Sequence, residues 1–205
     1  MKRRRPLFAF AAFASLAAVF TFAPCEAATL VSVTGNDGVN SADSNYIFAT
    51  SWTFGVDHTG VSVSGVFGGF GTGRAYLVKD IGVGVTVGSQ VATVDFTPGF
   101  PVASTVTLFQ NLDLIAGTYY LVVQSANGSG VDWRIGTGST TAQNVTLNSA
   151  EYAYGIAPYA PASDFVLNAN QYVFTVTGNA AVPEPATTGL ALVGATLLVL
   201  RRRVR

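Results

Sequence analysis

Cysteine and histidine are among what this 205-residue sequence has least of, and between its two ends it is short of positive charge. It holds one cysteine, Cys25, and one histidine, His58. No disulfide can therefore close within the chain, and no metal site can be assembled from several imidazoles. A Ser-His-Asp triad would have to use His58, with Asp57 as its sequence neighbour, and no Ser sits in a Gly-x-Ser-x-Gly elbow. The Lys and Arg equal the Asp and Glu in number, at eleven each, but they are placed differently. Eight cations crowd the two ends: Lys2, Arg3, Arg4, Arg5, Arg201, Arg202, Arg203 and Arg205. Between Thr29 and Val182 only Arg74, Lys79 and Arg134 face nine carboxylates, a net charge of −6. Phosphate contacts need clustered Lys and Arg, so no nucleic-acid partner is expected.

Helical periodicity is the other absence. In its place are short stretches that alternate every second residue: Val61 to Ser64, Thr105 to Leu108, and Tyr172 to Thr177, where Tyr172, Phe174 and Val176 share a face. Thr118 to Val123 is continuously apolar or aromatic, as expected of a central strand covered on both faces. Further strands are expected at Thr29 to Val33, Ser51 to Val56, Arg74 to Val78, Val91 to Phe96, Val131 to Ile135 and Asn144 to Leu147. Turn residues separate them, at Gly60, Gly68 to Gly73, Thr97-Pro98-Gly99, Ala116-Gly117 and Asn127 to Gly130. The expected fold is an all-β, antiparallel sandwich of the jelly-roll kind, with a closed barrel as the alternative.

The ends carry a different signal. Met1 to Arg5 is a basic cap, followed by an uncharged apolar run from Pro6 to Phe22, the breaker Pro24, and small residues that permit cleavage after Ala27 or Ala28. That is the pattern of a signal peptide, which makes signal peptidase an expected partner. An acylated Cys25 would need a small residue before it and a Leu-like one three before; Pro24 and Phe22 fit that poorly. At the other end, Ala186 to Leu200 is uncharged. As a helix it would rise about 22 Å, short of the roughly 30 Å of a bilayer core. Arg flanking both apolar segments places both ends on the cytoplasmic side and the body outside the inner membrane. Pro183 and Pro185 hold the backbone around Glu184 extended, the form a protease cleft binds.

Val182-Pro183-Glu184-Pro185, a short apolar helix, and the basic stop Arg201, Arg202, Arg203 and Arg205 together resemble the PEP-CTERM sorting signal of Gram-negative bacteria. The resemblance implies recognition by an exosortase, a membrane-embedded cysteine transpeptidase. It would leave the protein at the cell surface or in an extracellular polysaccharide matrix, after a transient tether in the inner membrane. Ser51 to Phe54, Gly73 to Val78, Leu112 to Val123 and Trp133 are similar to passengers often found ahead of this tail. In the Leu112 to Val123 element the likeness implies that Gly117 turns the chain and an aromatic strand enters the core. The expected organisation is a signal peptide over 1–28, a passenger over 29–178, a linker over 179–185, a short transmembrane helix over 186–200 and a cytoplasmic tail over 201–205.

Chemistry within the body is sparse. The Gly68 to Gly73 run lacks the Gly-Lys-Ser/Thr ending of a phosphate cradle. Acids for glycoside hydrolysis would have to come from Asp80, Asp95, Asp113, Asp132, Glu151 or Asp164. The Asn36 to Asn45 stretch reads as an Asx-rich loop, with calcium as an alternative through Asp37, Asn40, Asp43 and Asn45; otherwise no cofactor is expected. Trp52, Trp133 and Tyr154, with Tyr152 and Tyr159, offer planes for stacking on sugars, against a core role for the tryptophans and a late loop for the tyrosines. The expected function is non-enzymatic, structural or adhesive; the alternatives are a carbohydrate-binding module and a secreted hydrolase. Replacing Glu184 and Pro185 with Ala is expected to leave export intact and block trimming. Mass spectrometry of membrane fractions would then find Arg205 retained in the variant and lost from wild type.

Overall fold

The computed structural model describes residues 27–180 apart from 44, 83–89, 129, 157–159 and 162–164. The signal peptide up to residue 26, Tyr159, Asp164, the Pro-Glu-Pro motif, the apolar tail helix and the basic stop lie outside the described residues. Among the described residues there is no helix; the regular structure is strand throughout. In chain order the strands are β1 (Ala28–Thr34), β2 (Gly38–Ala42), β3 (Tyr46–Phe54), β4 (His58–Gly69), β5 (Gly73–Val78), β6 (Gln90–Phe96), β7 (Ser104–Leu114) and β8 (Gly117–Ser125). They continue as β9 (Val131–Gly136), β10 (Gly138–Thr141), β11 (Val145–Ile156), β12 (Ala160–Pro161), β13 (Val166–Asn168), β14 (Gln171–Tyr172) and β15 (Phe174–Ala180).

These strands form two antiparallel sheets. In the first, β1, β15 and β4 run side by side, with β10 beyond β1 and β7 on the other side of β4; β9 joins the far end of β4 and carries β2 and β14. In the second the order is β12, β11, β3, β8, β5, β6, with β13 also paired to β11. The chain passes repeatedly from one sheet to the other, so neighbours in sequence face each other across a shared core. Trp52 of β3 stacks on Phe174 of β15 with ring centroids 5.5 Å apart, and Phe67 of β4 meets Phe96 of β6 at 4.6 Å. Alternation explains which residues meet there: Phe48, Trp52 and Phe54 point inward from β3, while Ile47 and Ala49 join Tyr76, Val78 and Val122 in a second apolar cluster on the outer face. Strand β8 lies mid-sheet, with Leu121, Val122 and Val123 fully buried, as its continuous apolar run predicts.

Four readings of the sequence need correction. Gly60 and Gly68-Gly69, read as turn residues between strands, lie within β4. The Asn36 to Asn45 stretch is not a loop: its middle is β2, paired residue for residue with β9 from Gly38↔Ile135 to Ala42↔Val131. Its polar side chains hid a strand whose partner lies about ninety positions away. Tyr152 and Tyr154 stand on β11, not on a late loop. Finally, β15 extends through Asn179 and Ala180, which pair with Thr59 and His58, so the sheet continues into the expected linker.

The Gly117 turn does form. Its φ of 145° suits glycine alone, and the strand it opens carries Tyr119 inward, where the hydroxyl donates back to the Ile115 carbonyl at 2.8 Å. This resembles the tyrosine corner of Greek-key sandwiches. His58 begins β4 as a buried ring against Phe54, centroids 4.4 Å apart, and neither nitrogen has a hydrogen-bond partner of good geometry. Burial pushes its pKa down, opposed less strongly by the Asn179 backbone and the Asp57 charge. A base held neutral in the fold contributes stability above its unfolded pKa of about 6.5 and loses it as the pH falls below that value. The melting temperature should accordingly drop between pH 7 and 5, and His58→Phe should flatten that drop. Asp95, whose pKa is lowered by the Arg74 guanidinium, loses its contribution only in the acid range below the usual carboxylate value.

Candidate aromatic cleft

Where β2, β3, β11 and β13 converge, the space between the sheets opens into a cleft of about 380 Å³. The second sheet contributes Tyr46 and Phe48 of β3, Tyr152 and Tyr154 of β11 and Asn168 of β13; the first contributes Asn40 and Ser41 of β2. A β-bulge puts the four rings on one side. Strand β11 pairs Leu147 with Trp52 and then Ala150 with Thr50, so three steps on β11 match two on β3. The extra residue reverses the alternation, and Tyr152 and Tyr154 fall opposite Phe48 and Tyr46. Without it both tyrosines would point out of the sheet. The bulge is held from several directions: the Asn148 amide donates to the Thr53 hydroxyl at 3.0 Å, and Gln171 of the other sheet donates to the Asn148 carbonyl at 3.2 Å.

The rings form a graded surface. Tyr46 stacks parallel to Phe48 at 6.2 Å and touches Tyr154 at 4.9 Å, with their hydroxyls 3.4 Å apart. Tyr154 is 49% exposed, whereas Phe48 closes the floor. The hydrogen bond and charge of Tyr154 raise the Tyr46 pKa, as does nearby Asp43, so the phenol stays neutral. Asp43 accepts the backbone N–H groups of Asn45 at 2.7 Å and Tyr46 at 3.2 Å, fixing the turn into β3. Across the cleft the buried Tyr172 hydroxyl accepts from the amides of Asn40 at 3.2 Å and Asn168 at 2.6 Å. One phenol thus orients two carboxamides, leaving each a second amide hydrogen to donate. The Tyr172 ring stacks on Trp133 at 4.5 Å, and burial pushes its pKa up to about 12.

The sequence candidates divide sharply. Trp52 and Trp133 are both 0% exposed and cannot stack on a ligand; they are core. Tyr154 and Tyr152 are in the cleft, and with them come Tyr46 and Asn168, which no local pattern singled out. Asp37 and Asp43 stand at opposite ends of β2, about 20 Å apart at ~3.3 Å per residue. Asn40 between them is turned to Tyr172, so Asp37, Asn40, Asp43 and Asn45 do not converge on a point. Among the described residues no group of three His, Cys, Asp or Glu side chains could hold a metal.

The other described acids are engaged singly, Asp80 by the N–H of Ile81 at 3.0 Å. Asp95 pairs with Arg74, Asp132 accepts from Ser41, Glu151 accepts from Ser149 at 2.8 Å, and Asp113 accepts the Gly60 N–H at 3.3 Å. None lines the cleft. Asp57 accepts the Ala116 N–H at 2.8 Å instead of orienting His58, so no triad is assembled around the histidine.

Compared with protein-family models, curated protein sequences and solved structures, the chain finds no match. Tyr172→Phe should keep the stack on Trp133 and remove the acceptor shared by Asn40 and Asn168, costing about 1–3 kcal/mol in denaturant unfolding at neutral pH. Because the folded phenol ionises above its unfolded value of 10.0, at about 12, wild type loses this residue's contribution as the pH rises through that window. The Phe variant should not share that alkaline loss.

Proposed function

We propose that this chain is an exported, non-enzymatic surface or matrix protein that an exosortase sorts through its C-terminal signal, and that its passenger, a jelly-roll-like β-sandwich, binds carbohydrate in the aromatic cleft. Support for sorting comes from the residues at the two ends: the basic and apolar leader, Val182 to Pro185, the short apolar run and the closing arginines. Support for the sandwich comes from two antiparallel sheets sharing one core. The observation that carries the binding role is the cleft itself, where partly exposed phenol planes share one lining with two carboxamides held by a buried hydroxyl. Aromatic planes pack on the apolar faces of pyranose rings while amides bond their hydroxyls.

The position of the cleft suits adhesion. The first and last strands meet at one end of the sheet, where Ala28 pairs with Gly178 and Ala180 with His58. Asn40 and Ser41 lie level, through β9, with Phe67 and Gly68 at the far end of β4. That is about 30 Å away at ~3.3 Å per residue. A tether running from Ala180 would thus present the cleft outward, toward exopolysaccharide.

Affinity electrophoresis of the exported protein through gels containing extracellular polysaccharide tests this reading. Retardation should be lost in Tyr154→Ala and kept in a Phe70→Ala, Phe100→Ala double variant. The second pair is the control because Phe70 and Phe100 are exposed rings in mutual contact outside the cleft. Loss of retardation in the control and not in Tyr154→Ala would remove the cleft from the function.

A further inference from the structure

We infer that the cleft selects uncharged saccharides and rejects uronate-bearing and sulfated ones, an inference that rests on the carbohydrate reading above. The seven described residues that line the cleft include no Lys, Arg, Asp or Glu. A carboxylate or sulfate entering it would give up water for these neutral phenols, amides, one phenyl ring and one hydroxyl, a costly exchange for an ion. One acid makes that exchange worse beside the rings: Asp43 accepts the backbone N–H of Tyr46, which lines the cleft, and a like charge next to an entering anion disfavours it.

The cations of the body are placed where they cannot compensate. Arg74 is bound to Asp95, with Nη2 to Oδ2 at 2.7 Å, on the β5–β6 pair. Lys79 lies over the Tyr119 ring, 5.6 Å from its centroid. Arg134 stands on β9 between Trp133 and Ile135, both of which point into the interior; alternation therefore puts Arg134 on the outer face, away from the space between the sheets. Recognition of uronates or sulfates needs a guanidinium or ammonium in reach, and among the described residues none borders the cleft. What remains is chemistry suited to hydroxyl-rich neutral rings: Tyr46 and Tyr154 as planes, and Asn40 and Asn168 as oriented donors. At about 380 Å³ the cleft has room for a short oligosaccharide segment.

Isothermal titration of the exported protein with matched probes decides the matter. The neutral arm is a set of cello-, laminari-, malto- and mannohexaose; the anionic arm is oligogalacturonate and dextran sulfate, each at low and high salt. At least one neutral hexasaccharide is expected to bind, with Tyr154→Ala weakening it about tenfold. Tyr154→Phe should retain most of the affinity. Both anionic probes are expected to fail at either salt concentration. An anionic probe that binds more tightly than every neutral one, and still needs Tyr154, overturns the selectivity while leaving the carbohydrate reading in place. No binding in either arm, or binding of a proline-rich peptide in the cleft instead, overturns both.

Discussion

The stack of Tyr172 on Trp133 joins the core of this protein to its cleft. The ring is fully buried, lies 4.5 Å from Trp133 and 5.5 Å from Phe48, and so touches both sheets. Trp133 is fixed in turn by its indole N–H, which donates to the Val173 carbonyl at 2.9 Å. Val173 also donates to Arg134 and accepts from Val66, bridging β9 and β4 where the chain passes from β14 to β15. Burying the phenol hydroxyl would be costly if it were unpaired; Asn40 and Asn168 meet that requirement and are thereby aimed. The same bonds that satisfy the core thus shape the surface site.

A second dependence runs through the β11 bulge. Antiparallel pairing alone would carry the inward row of Val145 and Leu147 on to odd-numbered residues, leaving Tyr152 and Tyr154 outside. One extra residue moves both tyrosines inward, and cross-strand contacts with Tyr46 and Phe48 follow. Gln171 fastens the bulge from the opposite sheet, so the spacing of the two layers and the placement of the rings are set together.

Charge completes the arrangement. The body carries a net charge of −6 with three scattered cations, and none of the three is among the residues that line the cleft. Burial of the outer face of the second sheet by Ile47, Tyr76, Val122 and their neighbours also removes that face as a flat binding platform. The partly exposed aromatic surface is left at the end of the molecule opposite the paired first and last strands.

The sequence by itself determined that the body is all-β, where parts of its longest strands lie and that β8 runs through the middle of a sheet, because burial on one or both faces imprints a period of two or a continuous apolar run. It also marked Tyr154 as a candidate. It could not tell Trp52 and Trp133 from ligand-stacking residues: alternation says which side chains share a face, not which face meets the other sheet. Strand β2 was illegible because its polar residues carry no period and its partner is remote in sequence. Asn168 and Tyr46 gained meaning only once β13 and β3 were brought beside β11 and β2. Tertiary structure decided those placements, since inter-sheet packing and a single-residue bulge select among faces that local sequence leaves equivalent.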